Sequence, residues 1–266
     1  MDKLKEYIGQ FNKVAVAFSA GVDSTFLLCV CATVLGKDNV IAVTVNSDMF
    51  PKTDCDLSIS LAEKIGVKQI FLNADEYTVK EFTENSRERC YYCKKNIFKK
   101  IIACAKEHSI STVFDGSNVD DINDYRPGMR ALKELGVISP LMETGMVKSV
   151  IRQKSAELGL ETAYMPSKAC LASRIQYGEQ ITHEKLKMVN MAEDFLKNKG
   201  FTQFRVRHHN CIARIEVMPS EMDKIIELKD EISLEFNKIG YIYTTLDLQG
   251  FRSGSMNEVI KRGKIK

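Results

Sequence analysis

The segment SAGVDS, residues 19–24, places two hydroxyls, a glycine and a carboxylate between four apolar residues and the apolar run TFLLCVCATVLG. This pattern predicts a strand that turns abruptly into a buried helix. The start of such a helix has unpaired N–H groups at its positive end, which suits an anion such as phosphate. Ser19 and Ser24 add hydroxyl donors, Gly21 permits close approach, and Asp23 beside a phosphate favours bridging Mg²⁺. The alternative is an ordinary capped helix start.

Two other polar segments follow strand-like runs, VNSDMFP (45–51) and DGSNVDD (115–121). In the first, Asn46 and Ser47 are candidate nucleotide contacts, and in the second Asn118 is another. Turns rich in Asn, Asp and Gly also occur without any functional role, so either segment is open to that interpretation.

The elements that must position these segments alternate between strand and helix over residues 1–165. The further strands are predicted at 39–47, 68–73 and 111–121, and the helices at 51–66, 90–109 and 148–160. Alternation of this kind predicts an α/β domain, a parallel sheet with flanking helices. Ligands of such sheets bind beyond the carboxyl ends of the strands, where all three polar segments would lie.

Residues 166–266 have a different character. The pattern predicts helices at 182–200 and 219–240 and strands at 204–209, 212–218 and 241–251. We expect a small C-terminal α+β domain there, of ordinary domain size.

The composition is that of a globular protein, with 44% hydrophobic and 27% charged residues among 266. A net charge of +3 gives little support for nucleic acid as a partner. The sequence has no apolar run long enough for a membrane span and no signal-peptide pattern, so we expect a cytoplasmic protein. The eight cysteines are then expected to be reduced.

The segment MPSKACLASR (165–174) places Cys170 between Lys168 and Arg174. Neighbouring cations favour the thiolate, which is the nucleophilic form of cysteine. On this pattern alone, a buried structural cysteine is the alternative.

These segments carry two resemblances. SAGVDS resembles the SGGxDS signature of the PP-loop ATP pyrophosphatases, which have an adenine nucleotide alpha hydrolase-like fold, although Ala20 replaces a glycine of that signature. PSxxCLASR resembles the cysteine loop of the LarE family, the ATP-dependent sacrificial sulfur transferases. FRVRHH, ARIEV and LQGFRSGSMNE also look like that family, in the same order, so the likeness runs from about residue 13 to residue 257.

The resemblance implies a reaction. ATP, with Mg²⁺, would adenylate a carboxylate of a pyridinium mononucleotide and release pyrophosphate. Cys170 would displace AMP to form a thioester, and elimination would leave dehydroalanine and a thiocarboxylate for the nickel-pincer nucleotide cofactor. Relatives with an iron–sulfur cluster carry additional cysteines, whereas Cys170 stands alone in its loop, which favours the sacrificial version. The family also suggests a homo-oligomer, a hexamer of trimer pairs.

Several charged residues are then candidates for substrate binding. Arg205 and Arg207 share one face of a predicted strand, and guanidinium groups suit a phosphate. In the family, arginines like these bind the substrate phosphate, although a solvated basic strand is the alternative. The full candidate set is Arg174, Glu193, Arg205, Arg207 and Arg252.

The pair Cys90 and Cys93 forms a CxxC motif without a second CxxC, which favours a structural role over half of a metal site or a redox pair. Other functions within the superfamily are a tRNA thiolase and an ammonia-dependent adenylating ligase. A non-catalytic ATP sensor is a third possibility. The ligase would not need Cys170, and the thiolase would favour a more basic surface.

Overall fold

The structure, a computed structural model, divides the chain into two compact units. It describes residues 1–123, 127–166, 169–261 and 263. The first unit comprises Met1–Val79 and Glu88–Lys168, and the second Lys80–Arg87 and Ala169–Lys266. The boundary drawn from the sequence, between residues 165 and 166, assigns 80–87 to the first domain, whereas these residues pack within the second unit.

The first unit contains a four-stranded sheet in which every pairing is parallel, in the order β3-β2-β1-β4. The strands are β1 Val14–Ala17, β2 Val40–Asn46, β3 Lys68–Asn73 and β4 Thr112–Phe114. Strand β1 is flanked by β2 and β4, so the turn that follows it lies at the centre of the carboxyl edge. The predicted α/β fold with a parallel sheet is confirmed.

Helices cover both faces of this sheet. In the first unit they are α1 Asp2–Ile8, α2 Val22–Leu35, α3 Lys52–Ile65, α5 Arg89–Glu107, α6 Gly128–Glu134, α7 Pro140–Glu143 and α8 Lys148–Glu157. One apolar cluster includes Phe26 and Leu27 of α2, and the other includes Phe98 and Ile101 of α5. Within the described ranges, no helix is long and apolar enough to cross a membrane.

The predicted strand at 111–121 is shorter in the structure, where β4 ends at Phe114. The remainder of the run is a loop and a 3₁₀ turn, Val119–Asn123. Asp115 and Gly116 stand where the strand ends, and both residue types are depleted in strands and favoured in turns.

The second unit packs a three-stranded sheet, β5-β6-β7, against two long helices. Its elements are α4 Lys80–Thr83, α9 His183–Asn198, β5 Phe204–His209, β6 Ile212–Val217, α10 Met222–Glu227, α11 Lys229–Ile239, β7 Tyr243–Leu246 and α12 Glu258–Lys261. Strands β5 and β6 are antiparallel, whereas β6 and β7 are parallel. Val206 and Ile215 face the apolar core, so the alternate positions, Arg205, Arg207 and Glu216, lie on the other face.

Two predictions for this unit were wrong in extent. The helix predicted at 219–240 is a 3₁₀ turn followed by α10 and α11, which meet at Leu228. Neither proline nor glycine marks that break, and the structure offers no local reason for it. The strand predicted at 241–251 is limited to β7, because Gly250 with φ +69° and the turn before it end the extended run.

Asn85 explains why residues 80–87 belong to the second unit. Its fully buried side-chain amide donates to the carbonyls of Gln176 at 2.7 Å, Glu179 at 2.9 Å and Ile175 at 3.4 Å. The Asn85 carbonyl in turn accepts from the N–H of Gly178 at 3.0 Å. One asparagine therefore fixes the segment that follows the Cys170 loop.

We expect Asn85→Ala to lower the free energy of unfolding by about 1–3 kcal/mol, because buried carbonyl groups would lose their donor. Urea denaturation of the whole chain measures this. Asn237→Ala on α11 is the matched control, since its exposed side chain should change stability by less than about 0.5 kcal/mol. Equal effects of the two substitutions would refute the role assigned to Asn85.

Candidate active site

Phe18, the residue that follows β1, is hydrogen-bonded to the neighbouring strand β2 through both its backbone N–H and its carbonyl. The N–H of Phe18 donates to the carbonyl of Val43, and the carbonyl of Phe18 accepts from Thr44 Oγ1, both at 2.9 Å. Helix α2 then begins at Val22 with Gly21 as its N-cap, which has no side-chain capping bond. The N–H groups of residues 22–24 precede the first intrahelical bond and point out of the helix start. This is the anion-binding geometry expected from the sequence.

The two serines of the turn are brought together. Ser19 N–H donates to Ser24 Oγ at 3.3 Å, and the two hydroxyl oxygens are 3.2 Å apart. Ala20 lies between them with φ +55°, in the left-handed region that favours glycine. This conformation explains why the related signature carries glycine at the position, and an alanine there costs about 1–2 kcal/mol of backbone strain.

Asp23, on the first turn of α2, has two partners. Asn118 Nδ2 donates to Asp23 Oδ1 at 3.3 Å, which joins two of the segments predicted to meet. Lys148 Nζ forms an ion pair with Asp23 Oδ2. Sequence reasoning missed Lys148, although a signal exists: it is the first residue of α8, where the helix dipole disfavours a cation.

The segment 115–121 packs directly against the helix start. A Cβ on Gly116 would lie 3.1 Å from the backbone nitrogen of Ser24, so the glycine permits this close approach. Asn118 Oδ1 accepts from the N–H of Asp120 at 2.9 Å, and Asp120 Oδ2 accepts from the N–H of Lys148 at 2.7 Å. These bonds hold Asn118 and Lys148 beside Asp23.

Asn46 and Ser47 make their observed contacts toward β3. Asn46 Nδ2 donates to Asn73 Oδ1 at 3.2 Å, and the Ser47 hydroxyl donates to Glu76 Oε2 at 2.8 Å. Burial raises the pKa of the Glu76 carboxyl. In the described part of the chain no hydrogen bond links Asn46 or Ser47 to the SAGVDS turn, so their role as nucleotide contacts stays a prediction.

In the second unit, Cys170 is the N-cap of a 3₁₀ turn, Leu171–Arg174, and its side chain is half-buried. Lys168, the other cation that the sequence placed near it, lies outside the described residues. Arg174 folds back over the turn, and its Nη1 donates to the carbonyls of Ala169 at 2.8 Å and Cys170 at 3.1 Å. Glu193 of α9 accepts from the other two nitrogens of Arg174, both at 2.8 Å. The guanidinium is only 5% exposed, so the structure places it as a support of the cysteine loop.

A second buried arginine also holds this loop. Arg207 Nη1 donates to the carbonyl of Ser173 at 2.9 Å. Its Nε and Nη2 meet the carboxylate of Glu216 at 3.1 and 2.9 Å, and Nη2 also contacts Ser255 Oγ at 2.7 Å. Glu216 is fully buried, and sequence reasoning missed it. The available signal was a carboxylate within a predicted strand, and in the structure this residue lies opposite Arg205 in register.

The two remaining candidate arginines, Arg205 and Arg252, are better suited to bind an anionic ligand than Arg174 and Arg207. Burial lowers the pKa of Arg205 to about 10, and the positive charges of Arg174 and Arg207 act in the same direction. Its guanidinium lies over the ring of Phe251, 5.1 Å from the centroid. Arg252 pairs with Glu258 at 2.9 Å and with Asp247 at 3.5 Å. Asp247 also pairs with Arg214, which reaches Glu216 at 3.3 Å, so a chain of ion pairs connects Arg252 to the carboxylate that binds Arg207. A crowded, desolvated guanidinium such as that of Arg205 favours an approaching anion.

The CxxC motif lies at the start of α5, where Cys90 is exposed and Cys93 partly buried. No disulfide forms among the eight cysteines, all of which fall within the described ranges. Nor do the described His, Cys, Asp and Glu side chains form any group of three or more that could hold a metal ion. The motif therefore has no ligand set around it in this part of the chain.

Several known proteins are similar to this chain over most of its length. The NAD synthase family matches residues 1–112. The pyridinium-3,5-bisthiocarboxylic acid mononucleotide synthase of Lactiplantibacillus plantarum is 36% identical over 254 residues, 96% of this chain and 92% of that protein. An uncharacterized protein of Synechocystis is 36% identical over 264 residues, 98% of both chains. A third relative, from Methanocaldococcus jannaschii, is 30% identical over 91% of this chain and 92% of its own. The predicted membership is confirmed: the chain belongs to the LarE family, the family of the L. plantarum synthase, within the PP-loop superfamily.

Proposed function

We propose that this protein is an ATP-dependent sulfur transferase that converts a carboxylate of a pyridinium biscarboxylate mononucleotide to a thiocarboxylate. The observation that carries the proposal is a half-buried Cys170 at the start of a turn supported by two arginines, in a chain related end to end to the L. plantarum synthase. Cys170 is the sulfur donor in this proposal. The product would serve biosynthesis of the nickel-pincer nucleotide cofactor.

The first unit supplies the ATP chemistry. The N–H groups at the start of α2 and the hydroxyls of Ser19 and Ser24 bind the phosphates of ATP. Mg²⁺ in proteins is commonly held by one or two carboxylates plus substrate phosphates, and Asp23 is a carboxylate of that kind beside the anion site. The ion would neutralise phosphate charge there. Lys148, which pairs with Asp23, then has a phosphate oxygen as its alternative partner.

The second unit supplies the sulfur. The substrate carboxylate attacks the α-phosphate of ATP, and pyrophosphate leaves. The Cys170 thiolate attacks the acyl carbon of the adenylate, and AMP leaves with the electron pair of the C–O bond. Loss of the Cα proton of Cys170 and cleavage of its Cβ–S bond give dehydroalanine and the thiocarboxylate. Each chain therefore donates one sulfur.

The phosphate of the mononucleotide binds at the arginine cluster, which comprises Arg174, Arg205, Arg207 and Arg252. Arg205 is the best-suited member, because its guanidinium is desolvated and crowded by Arg174 and Arg207. Arg252 is the second candidate. Arg174, Arg207 and Glu193 contribute by holding the loop and the sheet in which Arg205 lies.

The alternative within the superfamily is a tRNA thiolase or an ammonia-dependent adenylating ligase. The modest net charge of +3 disfavours an RNA substrate. The ligase reaction does not use Cys170, so it would not explain the hydrogen bonds that support the loop around this cysteine. A cytoplasmic location and a homohexameric assembly stay predictions of the family resemblance.

Lys148→Met should lower the rate of substrate-dependent pyrophosphate release by about 10²-fold, the effect typical of losing one preorganised charge partner. Lys154→Met, on the same helix, is the matched control, because among the described residues that lysine forms an ion pair with Glu157 alone, at the surface. A pyrophosphate assay on both variants measures this. Equal rates in the two variants would show that Lys148 does not contribute to the ATP site.

Incubation with ATP, Mg²⁺ and the carboxylated mononucleotide should reduce the intact mass by one H₂S, and peptide mapping should locate the loss at Cys170. Cys170→Ala is the control: it should still release pyrophosphate but form no thiocarboxylate, because the sulfur donor is absent. Thiocarboxylate formation with Cys170 unchanged would refute the sacrificial mechanism and favour an external sulfur source.

A further inference from the structure

The carbonyl oxygen of Cys170 has two hydrogen-bond donors on it. The backbone N–H of Ser173 donates to this oxygen at 3.0 Å, as the first bond of the 3₁₀ turn. Arg174 Nη1 donates to the same oxygen at 3.1 Å. One neutral donor and one charged donor thus converge on the main-chain carbonyl of the residue proposed to lose its sulfur.

That carbonyl is where negative charge develops during an elimination at Cys170. Removal of the Cα proton places electron density on the adjacent carbonyl oxygen, as an enolate, before or while the Cβ–S bond breaks. Preorganised donors aimed at such an oxygen lower the barrier, and they do so most strongly where water is excluded. The geometry is that of an oxyanion hole, built on the enzyme's own main chain.

The charged donor is held firmly in this position. Glu193 binds Arg174 through two parallel hydrogen bonds of 2.8 Å, which fixes the plane of the guanidinium and directs Nη1 at the turn. Glu193 Oε1 also accepts from the backbone N–H of Val206 at 2.9 Å, which ties the pair to strand β5. With 5% and 12% exposure, the Arg174 and Glu193 side chains are both shielded from water.

We propose that Arg174, together with the N–H of Ser173, forms an oxyanion hole for the elimination that converts the Cys170 thioester to dehydroalanine. The Cα proton passes to water, the electron pair of the Cα–H bond forms the Cα=Cβ double bond, and the Cβ–S pair leaves with the thiocarboxylate. No oxidant or reductant is needed. This inference rests on the proposed function, and it makes Arg174 a catalytic residue and Glu193 a positioning residue.

The first test needs neither ATP nor substrate. The cysteines of the native protein are arylated with 2,4-dinitrofluorobenzene, which makes each sulfur a leaving group, and dehydroalanine is then followed at every site by peptide mapping. Cys90, the exposed cysteine, is the internal reference in the same molecule. In wild-type protein we expect Cys170 to eliminate at least about 10²-fold faster than Cys90, the effect typical of an oxyanion donor.

In Arg174→Gln the rate at Cys170 should fall toward that at Cys90, whereas Lys197→Gln, an exposed cation on the helix that carries Glu193, should leave it unchanged. Equal rates at Cys170 and Cys90 in the wild type would overturn the proposal, and this comparison holds even where a variant fails to fold. An unchanged rate at Cys170 in folded Arg174→Gln would overturn it as well.

The second test uses the complete reaction and separates the inference from the proposed function. With ATP and the mononucleotide, Arg174→Gln should still release pyrophosphate and should accumulate the acylated Cys170, seen as a mass gain, with little dehydroalanine. Conversion of the acylated cysteine at the wild-type rate would refute the oxyanion role while leaving the sulfur transferase intact. Failure of wild-type protein to acylate Cys170 would refute the function, and the arylation result would still decide the oxyanion hole.

Discussion

A buried charge needs a partner of opposite sign, and the second unit is organised by that constraint. Arg174 and Glu193 form one such pair, and Arg207 and Glu216 form another. A lone guanidinium or carboxylate at these depths would cost several kcal/mol, whereas a paired and hydrogen-bonded one is tolerated. In each pair, Nη1 of the arginine also donates to backbone carbonyls of the cysteine loop, those of Ala169 and Cys170 for Arg174 and that of Ser173 for Arg207. The shape of the cysteine loop thus depends on charge pairs that lie beneath it.

The same need for a partner of opposite charge is met at the carboxyl edge of the sheet in the first unit. Lys148 stands at the start of α8, where the helix dipole opposes a positive charge, and Asp23 compensates for it. Asp23 itself stands at the start of α2, where a carboxylate is favoured. An incoming polyphosphate would satisfy the lysine and the N–H groups of α2 together. The pair is therefore suited to exchange partners, unlike the buried pairs of the second unit.

The sequence predicts the elements of this protein well where the signal is local. Strand β3 coincides with the predicted run 68–73, and the turn at 19–24 joins a strand to a helix as expected. What it misses depends on distant partners. Lys148 and Asp23 are 125 residues apart, and Asn85 belongs to the second unit because of carbonyls some 90 residues later. Periodicity carries no information about such pairs, although the parallel-sheet pattern did predict that the polar segments after the strands would meet at one edge.

The arginines illustrate why residue type alone left their roles open. Arg174, Arg205 and Arg207 look equivalent in the sequence, yet Arg174 and Arg207 each bind a carboxylate through two hydrogen bonds, whereas Arg205 lies over the ring of Phe251. A lysine at position 174 could not replace the arginine, because a single ammonium cannot bind Glu193 along two parallel bonds and reach the Cys170 carbonyl in a fixed plane. The planar guanidinium of Arg174 therefore both makes the loop rigid and brings a positive charge to the Cys170 carbonyl. Support and chemistry at Cys170 are therefore coupled, and a substitution that loosens the loop also removes the charge from the oxygen that needs it.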